Sequence, residues 1–335
     1  MIVYRSCMGY FKNKNVLVTG ATGLIGRPLV RLLVEAEAFV SAVSLDNFKE
    51  KDEPDFQKVK FVFGDLRDFN FCQSMTESCE IVFHLAGIKG SPMMTQKQPS
   101  TFFVNTLMFN LNLIEAARRN RVKNFLYTSS VGVYSPSDVL YEDSVWNSMP
   151  SSNDRFAGWA KRMGELQLEA AQIEYGWNGT HIVRPSNVYG PWDNFDLKTS
   201  MVIPSLIART ALGENPLRVW GDGSAVRDFI HANDVARAMM FVVEKNINEP
   251  VNIGSGVGIS IKDLTLELQR IKPELKIEWD ISKPKGDEVR ILDMTRLRNY
   301  GFTSSITIEE GLRQTYTWYV ENKSNSFKRY DAFSE

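Results

Sequence analysis

Cysteine is scarce: Cys7, Cys72 and Cys79 are the three among 335 residues. They are too few and too scattered for a disulfide framework or a zinc site. Histidine is as rare, and His84, His181 and His231 lie too far apart in sequence to suggest a metal set. Neither sign of charge is in excess, with 39 Lys and Arg against 40 Asp and Glu. Nothing in that balance points to nucleic acid or an anionic membrane, so an anionic ligand must be held by a few placed cations. No apolar run approaches the roughly 18 residues of a membrane span. The opening "MIVYRSCMGYFKNKN" lacks the apolar core of a signal peptide. The expected location is a reducing cytoplasm, with neither nucleic acid nor membrane as partner.

What is present is an alternation. "NVLVTG" (15–20), "FVSAVSLD" (39–46), "VKFVFGD" (59–65), "EIVFHLAG" (80–87), "KNFLYTSS" (123–130) and "GTHIVRPS" (179–186) read as buried strands. Helical patterns separate them at 24–36, 100–119 and 157–175. Strand–helix alternation predicts an α/β fold with a doubly wound parallel sheet. After residue 186 helices at 202–212 and 260–271 are spaced by Gly and Pro, and Ser260 and Asp263 have capping-box spacing. No Ser- or Pro-rich linker intervenes. We expect a Rossmann-like domain over 1–186, completed by later elements, interleaved with a smaller α/β lobe over 187–325.

Three glycines, Gly20, Gly23 and Gly26, follow the first strand and open the first helix in "VTGATGLIG". Missing side chains permit a tight turn and close approach of a pyrophosphate, which the helix N-terminal amides then face. Asp46 ends the second strand twenty residues after Gly26, where a carboxylate binds ribose hydroxyls and repels a ribose phosphate. NAD is therefore expected over NADP.

This G-x-x-G-x-x-G form, "GDLRD" (64–68), "HLAG" (84–87) and a lysine in "DRFAGWAKRMGE" (154–165) together resemble the extended short-chain dehydrogenase/reductase superfamily over about residues 14–320. The resemblance implies that Asp65 and Leu66 lie near the adenine and that Leu85, Ala86 and Gly87 run along the cofactor. Lys89 in "AGIK" matches a cofactor-contacting lysine of nucleotide-sugar 4-epimerases. It also assigns Thr22, Leu24, Ile25, Asn47, Asn105, Thr128, Pro185 and Val188 to the cofactor. Superfamily catalysis uses a tyrosine four residues before a lysine, with a Ser or Thr after the fifth strand. Here Lys161 is present, Ser129 and Ser130 follow the strand, and Ala157 stands at the tyrosine position. Ser130 is better placed by its distance from "VY", and Tyr134 is not expected to replace the missing phenol. Survival of the glycines, Asp46, Ser130 and Lys161 fits a single Tyr→Ala change, such as an engineered one, better than general decay. Losing such a general acid–base costs on the order of 10²–10⁴ in rate.

The segments "SNVYGPWDNFDLKTSMVIPSLIAR" (186–209), "VWGDGSAVRDFIH" (219–231), "VNIGSG" (251–256) and "ISKPKGDEVR" (281–290) resemble the GDP-fucose synthase family. That implies a nucleoside-diphosphate sugar, GDP-linked for preference, held by Asn187, Val202, Arg209, Arg227 and Lys283 beside Ser130. Arginine suits a diphosphate because its planar fork binds oxygens in pairs. Where fucose synthases use a cysteine and a histidine for epimerisation, this chain has Val131 and Met201. Where 4,6-dehydratases carry an Asp–Glu pair it has Val131 and Gly132. Redox at a ring carbon remains, most simply C4, by a 4-epimerase or 4-dehydrogenase. A 4-keto-sugar reductase and a non-catalytic NAD- and sugar-binding protein are the alternatives. The helix pair near 104–119 and 157–174 carries Leu107, Leu111, Leu113, Met163 and Leu166, and relatives dimerise through it, so a homodimer is expected.

Overall fold

A computed structural model describes residues 9–46, 56–88, 97–283 and 287–323. The first strands and helices alternate: β1 (Asn15–Thr19), α1 (Gly26–Glu35), β2 (Phe39–Ser44), β3 (Lys60–Phe63), α2 (Phe69–Thr76), β4 (Ile81–His84), α3 (Pro99–Arg119) and β5 (Asn124–Thr128). Then follow β6 (Val139–Leu140), α4 (Arg155–Tyr175), β7 (Thr180–Pro185), β8 (Asn187–Tyr189), α5 (Val202–Ala211), β9 (Leu217–Trp220), β10 (Val226–His231) and α6 (Ala232–Glu244). The chain ends with β11 (Val251–Ile253), β12 (Gly258–Ser260), α7 (Ile261–Ile271), β13 (Ile277–Asp280), β14 (Val289–Leu292), α8 (Thr295–Asn299) and α9 (Ile308–Asn322).

Seven strands form one sheet in the order β11-β7-β5-β4-β1-β2-β3, with every pairing parallel. This is the expected doubly wound Rossmann-like sheet. Side chains of a buried strand alternate between two helix layers. Val16 and Val18 pack with residues of α1 and α6, whereas Leu17 packs with residues of α2, α3 and α4. Strand order reverses between β1 and β4, which opens a crevice at their C-terminal ends.

The chain crosses between sheets in both directions. Late strand β11 completes the seven-stranded sheet beside β7, and early strand β6 pairs with β14 in a second sheet, β12-β10-β14-β6. β8 continues from β10, and β9 pairs with β13. A third core of Tyr189, Ile203, Leu206, Leu217, Leu264 and Leu312 fills the space between these strands and α5, α7 and α9. Ser260 caps α7 as its spacing predicts, its Oγ accepting from Asp263 N at 3.0 Å and donating to Asp263 Oδ2 at 2.6 Å. Among the described residues no helix is long and apolar enough to cross a membrane.

Candidate active site

The crevice floor is backbone. Gly20 has φ +66°, and a Cβ there would stand 2.9 Å from Ala86 N; one on Gly26 would stand 2.3 Å from Gly20 O. Gly20 needs glycine because the turn lies directly on the exit of β4 and has positive φ, and Gly26 because the helix start lies directly on the turn at Gly20 and Ala21. Gly23 differs: among the described residues the only atom within 4 Å of its missing Cβ is Gly20 O at 3.2 Å. Among the described residues no side chain caps the N-terminus of α1; Arg27 N donates to Gly23 O at 3.1 Å and Pro28 has no amide proton, so the glycine turn and the start of the helix at Gly26 are what can face an anion. At the rim, Thr22 Oγ1 donates to Asp46 Oδ2 at 2.5 Å and pairs with Ser44 Oγ at 2.7 Å, while Asp46 N donates to Ser44 Oγ at 3.0 Å. Each hydroxyl has one proton, so Ser44 donates to Thr22 and the carboxylate is aimed by a short chain of donors. Leu24 is buried and Ile25 half-buried on the first core.

Further along, Asp65 accepts from Arg67 N and Arg67 Nε, both at 2.8 Å, and Arg67 Nη1 donates to Asn105 Oδ1 at 3.2 Å. Arg67 thus joins two expected cofactor residues; sequence reasoning passed it over although it lies inside the quoted "GDLRD". Leu66 is buried in the second core, with Leu85 and Ala86 half-buried against the first and second. Pro185 is buried beside Ile253, and Val188 is half-buried beside Ile230. Asn47 and Lys89 lie outside the described residues.

At the chemical end, Lys161 Nζ donates to Thr128 O at 2.8 Å and stands 3.9 Å from where a Cβ on Gly87 would be. Burial lowers its ammonium to about 8, against the pull of Glu165 one turn on. Thr128 Oγ1 and Ser129 Oγ are buried with no hydrogen-bond partner among the described residues. Ser130 Oγ accepts from Gly132 N at 3.0 Å and caps a single tight turn over 131–133, which leaves its own proton to donate. Ala157 is half-buried on α4, one turn before Lys161.

The helix bearing Lys161 is fastened deep in the protein. A Cβ on Gly158 would meet Gly132 O at 2.3 Å, so its first turn rests on the serine turn. Arg162 donates to Val133 O and Ser148 O, and Arg184 forms a fully buried two-pronged pair with Glu165. Tyr134 belongs to this anchor, donating to Asn252 Oδ1 at 2.6 Å and accepting from Arg184 Nη1 at 3.2 Å. Burial pushes its phenol to about 12. It is spent structurally.

The basic residues expected to hold a substrate fall into two groups. Arg227 on β10 stands in register with Arg290 on β14, and both share the field of Asp154 and Asp287. Arg290 donates to Asp154 Oδ2 at 2.8 Å and to Val131 O at 2.9 Å, which draws β14 against the serine turn. Sequence reasoning missed this pair, since only folding brings residues 136 apart together. Arg209 and Lys283 gather instead at β9. Arg209 is paired with Glu214 and donates to Arg218 O at 2.6 Å, and Lys283 Nζ is 5.7 Å from the ring of exposed Trp220. Asn187 Nδ2 donates to Asp228 O at 2.9 Å, and Val202 opens α5 on the third core.

These features fit a nicotinamide dinucleotide: a backbone cradle open at Gly23, an aimed carboxylate at 46, and two orphaned hydroxyls beside Lys161. Comparison with known proteins agrees. Residues 16–254 match the NAD dependent epimerase/dehydratase family. GDP-L-fucose synthase 1 of Arabidopsis thaliana is 31% identical over 323 residues, 94% of this chain and 95% of that protein. A dTDP-4-dehydro-6-deoxy-D-allose reductase of a Streptomyces species is 30% identical over 92% of this chain and 97% of its own. The solved UDP-glucose 4-epimerase of Thermotoga maritima, with UDP-glucose, superposes with a TM-score of 0.80 at 28% identity, covering 93% and 100% of the two chains. The chain belongs to the NAD-dependent epimerase/dehydratase family of extended short-chain dehydrogenases/reductases, enzymes that modify nucleotide sugars with a nicotinamide cofactor.

Proposed function

We propose that this chain binds NAD and a nucleoside-diphosphate sugar, GDP-linked for preference, for redox at C4 of the ring as a 4-epimerase or 4-dehydrogenase, and that Ala157 leaves it impaired. The observation that supports this reading is Lys161 Nζ bonded to Thr128 O beside Gly87, with Ser129 and Ser130 next along the chain and a methyl side chain at 157 one helical turn before the lysine. Asp46, aimed by Thr22, supports NAD, since a carboxylate there repels a ribose phosphate.

A bound nicotinamide supplies hydride acceptance and return. Lys161 would hold its ribose, and Ser130, with a proton to give, would hold the reacting sugar oxygen. Moving the alcohol proton then needs an acid–base that a methyl group cannot be. The substrate lobe would be residues 187–325, with Arg227 at the diphosphate and Arg209, Lys283, Asn187 and Val202 around the nucleotide. A homodimer through α3 and α4 is supported by an apolar stripe of Val104, Met108 and Leu111 with Leu166 and Ile173, all exposed. A cytoplasmic setting goes with this chemistry.

The test is Ala157→Tyr, assayed with GDP-, UDP- and dTDP-hexoses by NMR of the ring protons. Turnover rising by about 10²–10⁴ is expected. Unchanged turnover with NAD and sugar still bound would favour the non-catalytic binding protein instead.

A further inference from the structure

A chain of buried polar groups runs behind the cradle. Thr19 Oγ1 accepts from Ala86 N at 3.2 Å and pairs with His84 Nδ1 at 2.8 Å. His84 Nε2 pairs with Asn110 Oδ1 at 2.9 Å, Asn110 Nδ2 donates to Tyr127 OH at 2.9 Å, and Tyr127 OH donates to Lys161 O at 3.2 Å. Thr19, His84, Asn110 and Tyr127 are each at most 1% exposed.

Proton counting fixes every direction. Tyr127 has one proton, and it goes to the Lys161 carbonyl, so Asn110 must donate to the phenol. The Asn110 oxygen therefore faces His84, whose proton must sit on Nε2. His84 Nδ1 is then an acceptor and takes the Thr19 proton, leaving the Thr19 oxygen to take the Ala86 amide. No member is left over, and a second proton on His84 would turn Nδ1 into a donor and take from the Thr19 proton the acceptor it has in this chain. Burial lowers its imidazolium to about 3, which agrees.

We infer that Asn110 and Tyr127 are positioning residues of the active site: with His84 held as the Nε2–H tautomer, they tie the backbone carrying Lys161 to the backbone at Thr19 and Ala86 that floors the cradle. The two walls would otherwise be set by separate elements, β1 and β4 on one side and α4 on the other. The fit is close, because a Cβ on Gly164 would come within 2.4 Å of the Tyr127 hydroxyl. The groups that bear on Lys161 are Glu165 on its own helix, the Tyr127 ring 5.1 Å away on β5, and His84 on β4. The inference rests on reading Lys161 as a cofactor-contacting residue.

Three measurements on the full chain test it. Nitrogen-15 NMR of histidine should show His84 as the Nε2–H tautomer from pH 5 to 9; an Nδ1–H ring or an imidazolium overturns the relay. Tyr127→Phe and Asn110→Leu should move the titration of Lys161, followed by lysine nitrogen-15 NMR, and weaken NADH by about 2- to 10-fold, the worth of one or two hydrogen bonds. Thr315→Val, which removes a buried hydroxyl bonded to Gly311 O at 2.7 Å, should lower stability yet leave both readouts unchanged. Should Tyr127→Phe behave as Thr315→Val does, the relay is only packing. Absence of NADH binding in the parent chain would defeat the proposed function, whereas the His84 and Lys161 spectra would still decide the relay.

Discussion

The two sides of the crevice are built by different means. The proposed dinucleotide side is made by the backbone: Gly20 and Gly26 where a Cβ meets main chain, Gly23 where it meets Gly20 O at 3.2 Å, and the start of α1. The proposed sugar side is made by charged side chains, some with distant partners and one with a near one: Arg227 in register with Arg290, Arg290 on Asp154, and Arg209 on Glu214 five residues on. A backbone site is complete once its loop has folded. A site of ion pairs depends on which partner each charge finds, and a guanidinium that has found a carboxylate has less to give a phosphate.

The sharpest way to break the contrast is to put methyl groups into the floor. Gly26→Ala forces a methyl onto Gly20 O and Ala21. The fold should lose about 1–3 kcal/mol, as overpacked sites do, and NADH binding should vanish in fluorescence titration. Gly23→Ala meets only one atom, so the unfolding midpoint should stay near that of the parent while NADH binding falls. Equal thermal losses in the two variants would mean that the cradle is not preformed. On the other side, Arg227→Met should weaken a nucleoside-diphosphate sugar by about 10- to 100-fold in calorimetry, the cost of a charge-assisted contact. Arg209→Met should cost less, since its fork is already occupied by Glu214. Equal losses would show that Arg209 leaves Glu214 when substrate arrives.

What was legible in the sequence follows the same division. Strand–helix alternation and glycine spacing are local, so six strands of the parallel sheet and the glycine turn after β1 could be read directly, whereas the seventh strand, β11, comes from late in the chain and could be expected only as a later element. The helix that bears Lys161 was legible from its periodicity, and the lysine itself only through the family resemblance. The Asp154–Arg290 contact was not, because it depends on β6, an early strand, crossing to pair with β14. Nothing in the sequence singles out Asn110, and its bonds to His84 and Tyr127 arise only when α3 is laid against β4 and β5. Tyr134 shows the limit from the other direction. Beside "SS" a phenol looks chemical, yet Arg184 and Asn252 hold it in the interior.

Acid is the gentlest perturbation and asks whether the two sides fail together. His84 lies under the dinucleotide side, His231 caps α6 next to the sugar side, and His181 lies in β7 between sheet neighbours. Burial lowers the first to about 3 and the other two to about 4. An unfolded histidine takes a proton near pH 6.5, which these folded ones refuse. The unfolded state therefore binds more protons throughout the window from about 6.5 down to 4, and stability falls as pH drops through it. From pH 7 to 6 each histidine should cost about 0.7 kcal/mol, steepening to about 1.4 kcal/mol per unit below. Thermal unfolding at pH 7, 6 and 5 checks the slope, and His181→Gln, outside the crevice, should reduce it by one proton's worth. Hydrogen exchange then separates the sides. Because β6 and β11 each cross into the other sheet, amides of β1 and of β10 should open together as acid is added, and earlier opening of β10 alone would show that the crossings do not bind the two sides into one cooperative unit.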